Sequence, residues 1–246
     1  MPGSIMVNVC ASEVVAPEVR RLSLERPDQA PLPTVTPGDH IRLSRPEGPA
    51  VPVSVAGQPT ISRYQVLVAD RVDAAGPDGG RTPRLDEALT LQGPGNGMPL
   101  TVQPASVRLI GAGLGIAPLL PLARVLTGTD CRVRLCWVGR GLASSVLQVE
   151  LANEFRHRVR FHDTAREGRP DLRAVIGRPE SGAHLYCAGP IPFIEALLVA
   201  AVQLGWSAEA LHWDRYLPVQ VPPGLQQVPV TDSSAGLAAA QPARRS

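Results

Sequence analysis

The spacing of hydrophobic and polar residues changes near residue 104. Before that point, short alternating apolar runs are separated by turns rich in glycine and proline, such as Pro37-Gly38-Asp39. Many short strands with this punctuation are typical of an antiparallel barrel or sandwich. We expect strands at residues 6–10, 19–24, 40–43, 51–55 and 64–70, and one short helix near residues 83–89.

After residue 104, strand and helix patterns alternate. Apolar runs predict strands at residues 107–110, 132–138, 159–161, 184–187 and 211–213. Helices are predicted at 118–126, at 170–176, at 190–204, and up to Phe155 from a cap at Ser144 or Ser145. This alternation is typical of a doubly wound parallel sheet. The fold class is therefore β followed by α/β.

The chain is predicted to have two domains and a tail. Residues 1–103 form the antiparallel β domain and residues 104–218 the α/β domain. Residues 219–246 are rich in Pro, Gln, Ser and Ala, a composition that predicts a flexible tail.

Charge and composition exclude several classes of function. Lysine and arginine together number 24, and because the sequence contains no lysine, Schiff-base and P-loop lysine chemistry are excluded. A formal net charge of +2 gives no basic face for nucleic acid. The most apolar stretch, residues 107–126, is interrupted by glycines and prolines, and the N-terminus does not resemble a signal peptide. We expect a soluble, cytoplasmic protein without membrane contact.

The cysteines and histidines do not predict a metal site. Cys131 and Cys136 have the spacing that begins a plant-type iron–sulfur motif, but Gly139 stands where the next ligand belongs. The histidines show no ligand spacing either. No metal is expected.

A glycine-rich segment is the sharpest local signal. The segment Ile110-Gly111-Ala112-Gly113-Leu114-Gly115-Ile116-Ala117-Pro118 joins a predicted strand to a helix that begins with proline. Glycines let backbone N–H groups approach a phosphate, and a helix N-terminus favours negative charge. The segment is either a nucleotide site or simply a tight strand-to-helix turn. The candidate binding residues are Gly111, Gly113, Gly115 and Pro118, and at the later turn Ala188, Gly189 and Pro190.

Five motifs follow one another along the chain: TPGDHIRL, GPGNGMPL, LIGAGLGIAPLL, HLYCAGPIPFIEALLVAAVQLGW and LHWDRY. Their order resembles the ferredoxin–NADP reductase superfamily, most closely the phthalate dioxygenase reductase or vanillate demethylase reductase group. The resemblance implies a flavin on the barrel and a nicotinamide nucleotide on the parallel sheet. It favours FMN over FAD and leaves NADH and NADPH both open. Members of the group usually carry a ferredoxin domain, so a separate oxygenase or ferredoxin partner is expected as electron acceptor here.

The flavin motifs of the family are altered in this chain. Its Arg-x-Tyr-Ser strand corresponds to Val51-Pro52-Val53-Ser54, which keeps only Ser54. Its Gly-Gly-Ser phosphate turn corresponds to Gly79-Gly80-Arg81, followed by Thr82. Arg81 is a candidate phosphate ligand because a guanidinium can bind phosphate with two hydrogen bonds. The alternative is a solvated loop charge.

The nucleotide motifs match more fully. The family's threonine at the start of the helix is Ala117, and its Cys-Gly-Pro is Ala188-Gly189-Pro190. Cys187 is one residue early and should face the opposite side of the strand. The family's C-terminal Glu-x-Phe corresponds to Asp214-Arg215-Tyr216, which makes Asp214 and Tyr216 the candidate catalytic residues. Arg140 follows the second strand of the α/β domain and is a candidate ligand for a 2′-phosphate.

Two hypotheses follow from these residues. In the first, the protein is an NAD(P)H-dependent flavin oxidoreductase, the reductase component of an oxygenase system. In the second, it is a non-catalytic or flavin-poor subunit of such a complex. The substitutions that favour the second hypothesis lie at Val51, Val53, Ala117 and Ala188.

Overall fold

The computed structural model describes residues 4–46, 48–58, 60–70, 81–100, 104–143 and 145–213. Its first part is a six-stranded antiparallel sheet with the order β4-β3-β6-β1-β2-β5. A bridge between Val55 and Val66 joins the two edge strands and closes the sheet into a barrel. The strands are β1 (Ile5–Ala16), β2 (Val19–Glu25), β3 (Asp39–Ser44), β4 (Val51–Ser54), β5 (Arg63–Ala69) and β6 (Ala88–Asn96).

The prediction of a short helix near residues 83–89 is wrong. Leu85 and Asp86 form a turn, and β6 begins at Ala88. Leu89 and Leu91 are buried in the barrel core, so the alternation in this segment is the period of a strand. The glycines and the proline later in β6 concealed that pattern in the sequence.

The second part is a five-stranded parallel sheet with the order β11-β10-β7-β8-β9. Its strands are β7 (Ser106–Ala112), β8 (Arg132–Gly139), β9 (Val159–Asp163), β10 (Ala183–Ala188) and β11 (Leu211–Trp213). Counted within this domain, the order is fifth, fourth, first, second, third. The chain therefore reverses direction across the sheet between β7 and β10, which is where ligands bind in such sheets.

Helices cover both faces of the parallel sheet, as the sequence pattern predicts. They are α1 (Leu119–Thr127), α2 (Val146–Phe155), α3 (Thr164–Glu167), α4 (Leu172–Ile176) and α5 (Ile191–Gln203). The predicted cap of α2 is confirmed at Ser145, whose hydroxyl accepts the Gln148 N–H at 3.2 Å. Within the described ranges, no helix is long and apolar enough to cross a membrane.

The barrel and the α/β domain share one hydrophobic core cluster. Ala16, Val19 and Leu67 of the barrel belong to the same buried cluster as Leu120 of α1 and Leu147 of α2. The sheet face on the opposite side packs separately against α4 and α5. The crevice at the reversal point therefore lies beside a packed interface between the two domains.

The two strand-to-helix turns at the reversal point touch one another through glycine. A Cβ atom added to Gly115 would lie 2.2 Å from the carbonyl oxygen of Ala188 and 2.4 Å from the nitrogen of Gly189. Gly189 has φ +147°, and a Cβ there would lie 3.0 Å from the Cβ of Ala112. Any larger residue at 115 has to push backbone away, so glycine sets the spacing of the two turns.

This contact predicts that Gly115→Ala destabilises the protein by about 1–3 kcal/mol, the usual effect of overpacking a close contact. Gly128→Ala is the matched control, because the nearest atom to its new Cβ is a carbonyl oxygen 3.4 Å away. The control should change stability by less than about 1 kcal/mol. Urea unfolding followed by circular dichroism measures both variants. Equal midpoints for the two would contradict the packing role of Gly115.

Candidate functional site

The glycine turn after β7 opens into the crevice at Gly113. This residue has φ +55°, and a Cβ added there would meet nothing within 4 Å. The turn is a 3₁₀ segment, Gly113–Ile116, which contacts β5 of the barrel. The indole Nε1 of the buried Trp137 donates to the Gly113 carbonyl at 3.0 Å and anchors the turn to β8. Pro118 lies at the start of α1, as the sequence predicts.

Ala188-Gly189-Pro190 forms the neighbouring turn between β10 and α5. Ala188 is buried in the core cluster on the α1 side of the sheet, whereas Cys187 is buried in the cluster on the α5 side. The alternation of strand side chains therefore places Cys187 away from the crevice, as expected. Burial raises the pKa of the Cys187 thiol to about 12, so it is a neutral thiol at physiological pH.

A buried carboxylate holds the loop that carries Arg140. Asp163, at the end of β9, accepts backbone N–H groups from Gly141 at 2.7 Å, Ala165 at 3.0 Å and Ala143 at 3.4 Å. Burial raises the pKa of Asp163, but these donors and the nearby Arg166 outweigh burial and hold the pKa below its usual value. Asp163 is therefore ionised, and its carboxylate oxygens accept hydrogen bonds from the loop backbone.

Two cations are exposed at this edge of the sheet. Arg140 directly follows β8, and Arg166 lies just beyond β9; both side chains are exposed. Neither arginine forms an ion pair or a side-chain hydrogen bond within the described ranges. Because Gly139 of β8 is in register with Asp163 of β9, the two loops leave the sheet side by side. Glu167, beside Arg166, is exposed as well and pairs with His162, so two arginines and one carboxylate face solvent here.

On the barrel, β4 presents aliphatic side chains and one hydroxyl. Val51 lies opposite Leu43 of β3, and Val53 lies opposite Ile41 and packs against the barrel core. Ser54 is half-buried at the end of the strand. The aromatic ring and the guanidinium that the resemblance places on this strand are thus replaced by two valines.

Two arginines converge on one carboxylate where β3 ends and β6 begins, on the side of β3 away from β4. Glu87 lies 2.5 Å from Nε of Arg45 and 2.9 Å from Nη1 of Arg81, and it also accepts the Arg84 N–H at 2.9 Å. Arg45 further donates to the Arg81 carbonyl at 2.8 Å. Burial raises the pKa of Glu87, but the N–H donor and the two guanidinium groups lower it further, so the net pKa is below its usual value. The cluster carries a net positive charge.

Arg81 is therefore ion-paired, and Thr82 is anchored as well. The Thr82 hydroxyl donates to the carbonyl of Ala69 at 2.8 Å, which ties the segment to the end of β5. Arg45 directly follows β3, two residues beyond Leu43, the partner of Val51. Arg45 thus lies near the start of the β3–β4 connection, on the strand next to Val51.

A pocket of about 390 Å³ lies between the barrel and α1, beside the glycine turn rather than at it. Residues 35–37, residues 55, 57 and 58, and Arg124 of α1 contribute to its walls. None of the candidate binding residues lines it. We therefore assign the candidate site from the two glycine turns and β4.

The structure brings together some of the residues named from the sequence. Gly115, Ala188 and Gly189 meet at the reversal point, and Gly113 lies in the same turn as Gly115. Arg140 lies on the adjacent strand edge, and Ser54 and Arg81 lie on the barrel. Four candidate residues are outside the described ranges: Gly79, Gly80, Asp214 and Tyr216.

Four residues that shape the site were missed in the sequence: Arg45, Glu87, Arg166 and Asp163. Asp163 carried a signal, because it follows an apolar strand at the edge where ligand loops lie. The pairing of Arg45 with Glu87 carried none, because 42 residues separate them.

Comparisons with known proteins agree with this architecture. The phthalate 4,5-dioxygenase oxygenase reductase subunit of Pseudomonas putida is 27% identical over 219 residues, which cover 85% of this chain and 66% of that protein. The carnitine monooxygenase reductase subunit of Escherichia coli (strain K12) is 27% identical over 219 residues, covering 85% of this chain and 68% of that protein. The chain thus spans about two thirds of the length of these curated relatives. No family model matches.

A solved structure shows the same fold. Phthalate dioxygenase reductase, described as a modular structure for electron transfer from pyridine nucleotides to [2Fe–2S], superposes with a TM-score of 0.75 and 23% identity. The match covers 86% of this chain and 67% of that one. The chain therefore has the ferredoxin–NADP reductase fold, and its homologues are reductase subunits of the phthalate dioxygenase type.

Proposed function

We propose that this chain is the flavin- and pyridine-nucleotide-binding part of an oxygenase reductase. It takes electrons from NAD(P)H and passes them to an oxygenase or ferredoxin partner. The observation that carries the proposal is the meeting of two glycine turns at the reversal point of the parallel sheet, beside the barrel. The homology to reductase subunits supports the same activity.

The crevice suits a pyridine nucleotide. Gly113 leaves open space above the turn, and α1 begins close behind it, so backbone N–H groups and the helix N-terminus face a bound pyrophosphate. Gly111, Gly115 and Gly189 keep the surrounding backbone close-packed. Pro190 begins α5 beside Ala188, where the nicotinamide end is expected to lie. We assign Asp214 and Tyr216 to the reaction centre from the resemblance.

We propose NADPH as the preferred donor. The 2′-phosphate of its adenosine carries up to two negative charges, which an arginine binds through charge-assisted hydrogen bonds. Arg140 and Arg166 are exposed at the strand edge where the 2′-substituent is read. NADH instead needs a carboxylate for its 2′-hydroxyl. Asp163 is committed to the loop backbone, and Glu167 accepts the Asp163 N–H and pairs with His162.

Barrel residues suit a flavin phosphate better than a flavin ring. We propose FMN, held at its phosphate by Arg45, Arg81 and Thr82, with Ser54 beside the ring. The two guanidinium groups share one carboxylate, which leaves net positive charge for an anion. When bound, the flavin supplies the conversion of a two-electron hydride from NADPH into single electrons for the partner.

A second candidate function rests on β4. Val51 and Val53 offer neither a charged phosphate contact nor an aromatic face. If flavin does not bind, the chain is a reductase-like subunit that serves the complex through protein contacts. The experiments below separate the two functions.

The reductase activity is tested with the purified chain and added FMN, using ferricyanide as acceptor. We expect two ferricyanide ions reduced per NADPH, since a hydride carries two electrons. Gly113→Leu should lose most of the activity because its side chain enters the open crevice. Gly113→Ala is the matched control, since both variants carry about 1–2 kcal/mol of left-handed backbone strain. If the chain supplemented with FMN does not reduce ferricyanide with NADPH, the proposed reductase function is wrong.

The nucleotide preference is tested by calorimetric titration with NADP⁺ and NAD⁺. Loss of one charge-assisted hydrogen bond costs about 1.5–3 kcal/mol, so Arg140→Gln should weaken NADP⁺ binding roughly 10- to 150-fold. Binding of NAD⁺ should change by less than about threefold, because it lacks the phosphate. Arg158→Gln is the control, because Arg158 is exposed at the amino end of β9, opposite the carboxyl end where Arg140 lies. Equal losses for both nucleotides would refute the assignment.

The flavin assignment is tested by quenching of FMN fluorescence on binding. Arg45→Gln and Arg81→Gln should each weaken FMN binding by roughly 10-fold or more, for the same energetic reason. Arg63→Gln is the control, because Arg63 pairs with Glu25 within the barrel, outside the proposed site. Unchanged FMN affinity in both variants would remove these arginines from the site. No FMN binding by the unaltered chain would favour the second candidate function.

A further inference from the structure

One arginine of α1 joins three separate parts of the molecule. Arg124 donates from Nε and Nη2 to the carboxylate of Glu154 in α2, at 2.6 and 3.0 Å. Its remaining nitrogen, Nη1, donates to the backbone carbonyl of Ala56 in the barrel. Each of the three guanidinium nitrogens thus donates one hydrogen bond, and 20% of the side chain is exposed. A planar fork of this kind fixes direction as well as distance.

The carbonyl that Arg124 binds belongs to the segment that follows β4. Ala56 lies two residues beyond Ser54, and the N–H groups of Ala56 and Gly57 both donate to the Gln65 carbonyl, at 2.8 and 3.2 Å. This segment closes the barrel against β5. Arg124 therefore holds the end of the proposed flavin strand from the α/β domain.

The helix that carries Arg124 begins behind the glycine turn. Leu119, the first residue of α1, is separated from the end of that turn, Ile116, by two residues, and Leu120 is buried at the domain interface. A short helix with a buried face moves as a rigid unit, so the position of Arg124 reports the position of the turn. The bond to Ala56 consequently links the proposed nucleotide turn to the proposed flavin strand.

A second ion pair joins the domains one helical turn earlier on α2, without touching Ala56. Arg21 of β2 binds both oxygens of Glu150 in α2, at 2.8 and 2.9 Å, and also Glu13 at 2.7 Å. With the shared apolar cluster, this pair holds the domains together without Arg124. Loss of Arg124 should therefore shift the β4 end relative to α1 and leave the domains docked.

We propose that Arg124 is a positioning residue of the reductase, which sets the separation between the flavin strand and the nucleotide turn. The inference rests on the proposed function. Hydride transfer requires the two reacting atoms to lie close together and aligned, and a displacement of about 1 Å can lower the rate 100-fold. Arg124 acts through the backbone at Ala56 and touches neither cofactor.

The first arm of the test uses the chain without cofactors. Hydrogen exchange is measured at the amides of Ala56 and Gly57 in the unaltered protein and in Arg124→Gln. We expect exchange to become roughly tenfold faster or more, since the segment loses its anchor. Arg21→Gln, which removes a charge from the same interface, should leave these amides unchanged. Equal exchange in all three proteins would overturn the proposal, whatever the activity of the chain.

The second arm uses the FMN-loaded chain and single-turnover reduction by NADPH. Arg124→Gln should lower the reduction rate by roughly 10- to 100-fold. The dissociation constants for FMN and NADPH should stay within about threefold. Arg124→Lys keeps a donor for the Ala56 carbonyl and should recover part of the rate, whereas Arg21→Gln should retain nearly all of it. A loss of cofactor affinity that accounts for the whole rate effect, or an equal loss in Arg21→Gln, would refute the positioning role.

The two arms separate failure of this inference from failure of the proposed function. An unaltered chain that binds FMN and NADP⁺ but reduces no acceptor would refute the reductase function. The exchange arm then still decides whether Arg124 holds the segment after β4. Normal activity of the unaltered chain, with Arg124→Gln equally fast, would refute the positioning role alone.

Discussion

The absence of a side chain at residue 115 is the constraint on which the site depends. The turn after β7 and the turn after β10 lie so close that a single methyl group would overlap the Ala188 carbonyl. Their contact creates one continuous edge at the reversal point of the sheet. Gly113, two residues earlier, has the opposite surroundings, with open space above it. Gly115 thus allows the two turns to touch, and Gly113 leaves the crevice open above the first turn.

Arginine side chains form several of the polar contacts between distant segments of this lysine-free chain. Arg124 and Arg21 cross the domain interface, and Arg45 and Arg81 gather around Glu87. Arg108 donates to the Ile176 carbonyl and lies 5.2 Å over the ring of Trp206. The planar guanidinium binds two or three partners at fixed angles, which a lysine ammonium does not do. The arginines of this chain therefore fix the relative positions of the segments they join, in addition to contributing charge.

The sequence predicted the architecture because its signals are local. The strand and helix order after residue 104, the cap at Ser145 and the turn before Pro118 all follow from spacing along the chain. The error at residues 83–89 arose because glycines and a proline later in β6, at residues 93–95, conceal the strand pattern. Alternating Leu89 and Leu91 was the correct indication. Whether the boundary between the domains falls at residue 103 stays a prediction.

Much of the candidate site was less predictable, because its charges act at a distance in sequence. Arg124 contacts Ala56 across 68 positions, and Arg45 meets Glu87 across 42. Neither pairing has a spacing that a single sequence exposes. The glycines and Arg140 were proposed from the sequence because they directly follow strands of a parallel sheet, where ligand loops are expected. Their binding roles stay predictions, and the fold adds the charges that surround them.

The two valines of β4 and the bond from Arg124 to Ala56 have a common physical consequence. An aromatic ring on β4 would stack on a flavin and help to orient it, a contact worth about 0.5–1.5 kcal/mol. With Val51 and Val53 in that place, orientation has to come from backbone and from the surrounding walls. A preformed site binds more tightly than a loose one because less freedom is lost on binding. The bond from Arg124 to Ala56 and the close contact at Gly115 both rigidify the walls before any cofactor arrives. In the proposed site, the domain interface rather than the flavin strand would therefore be the main determinant of cofactor geometry.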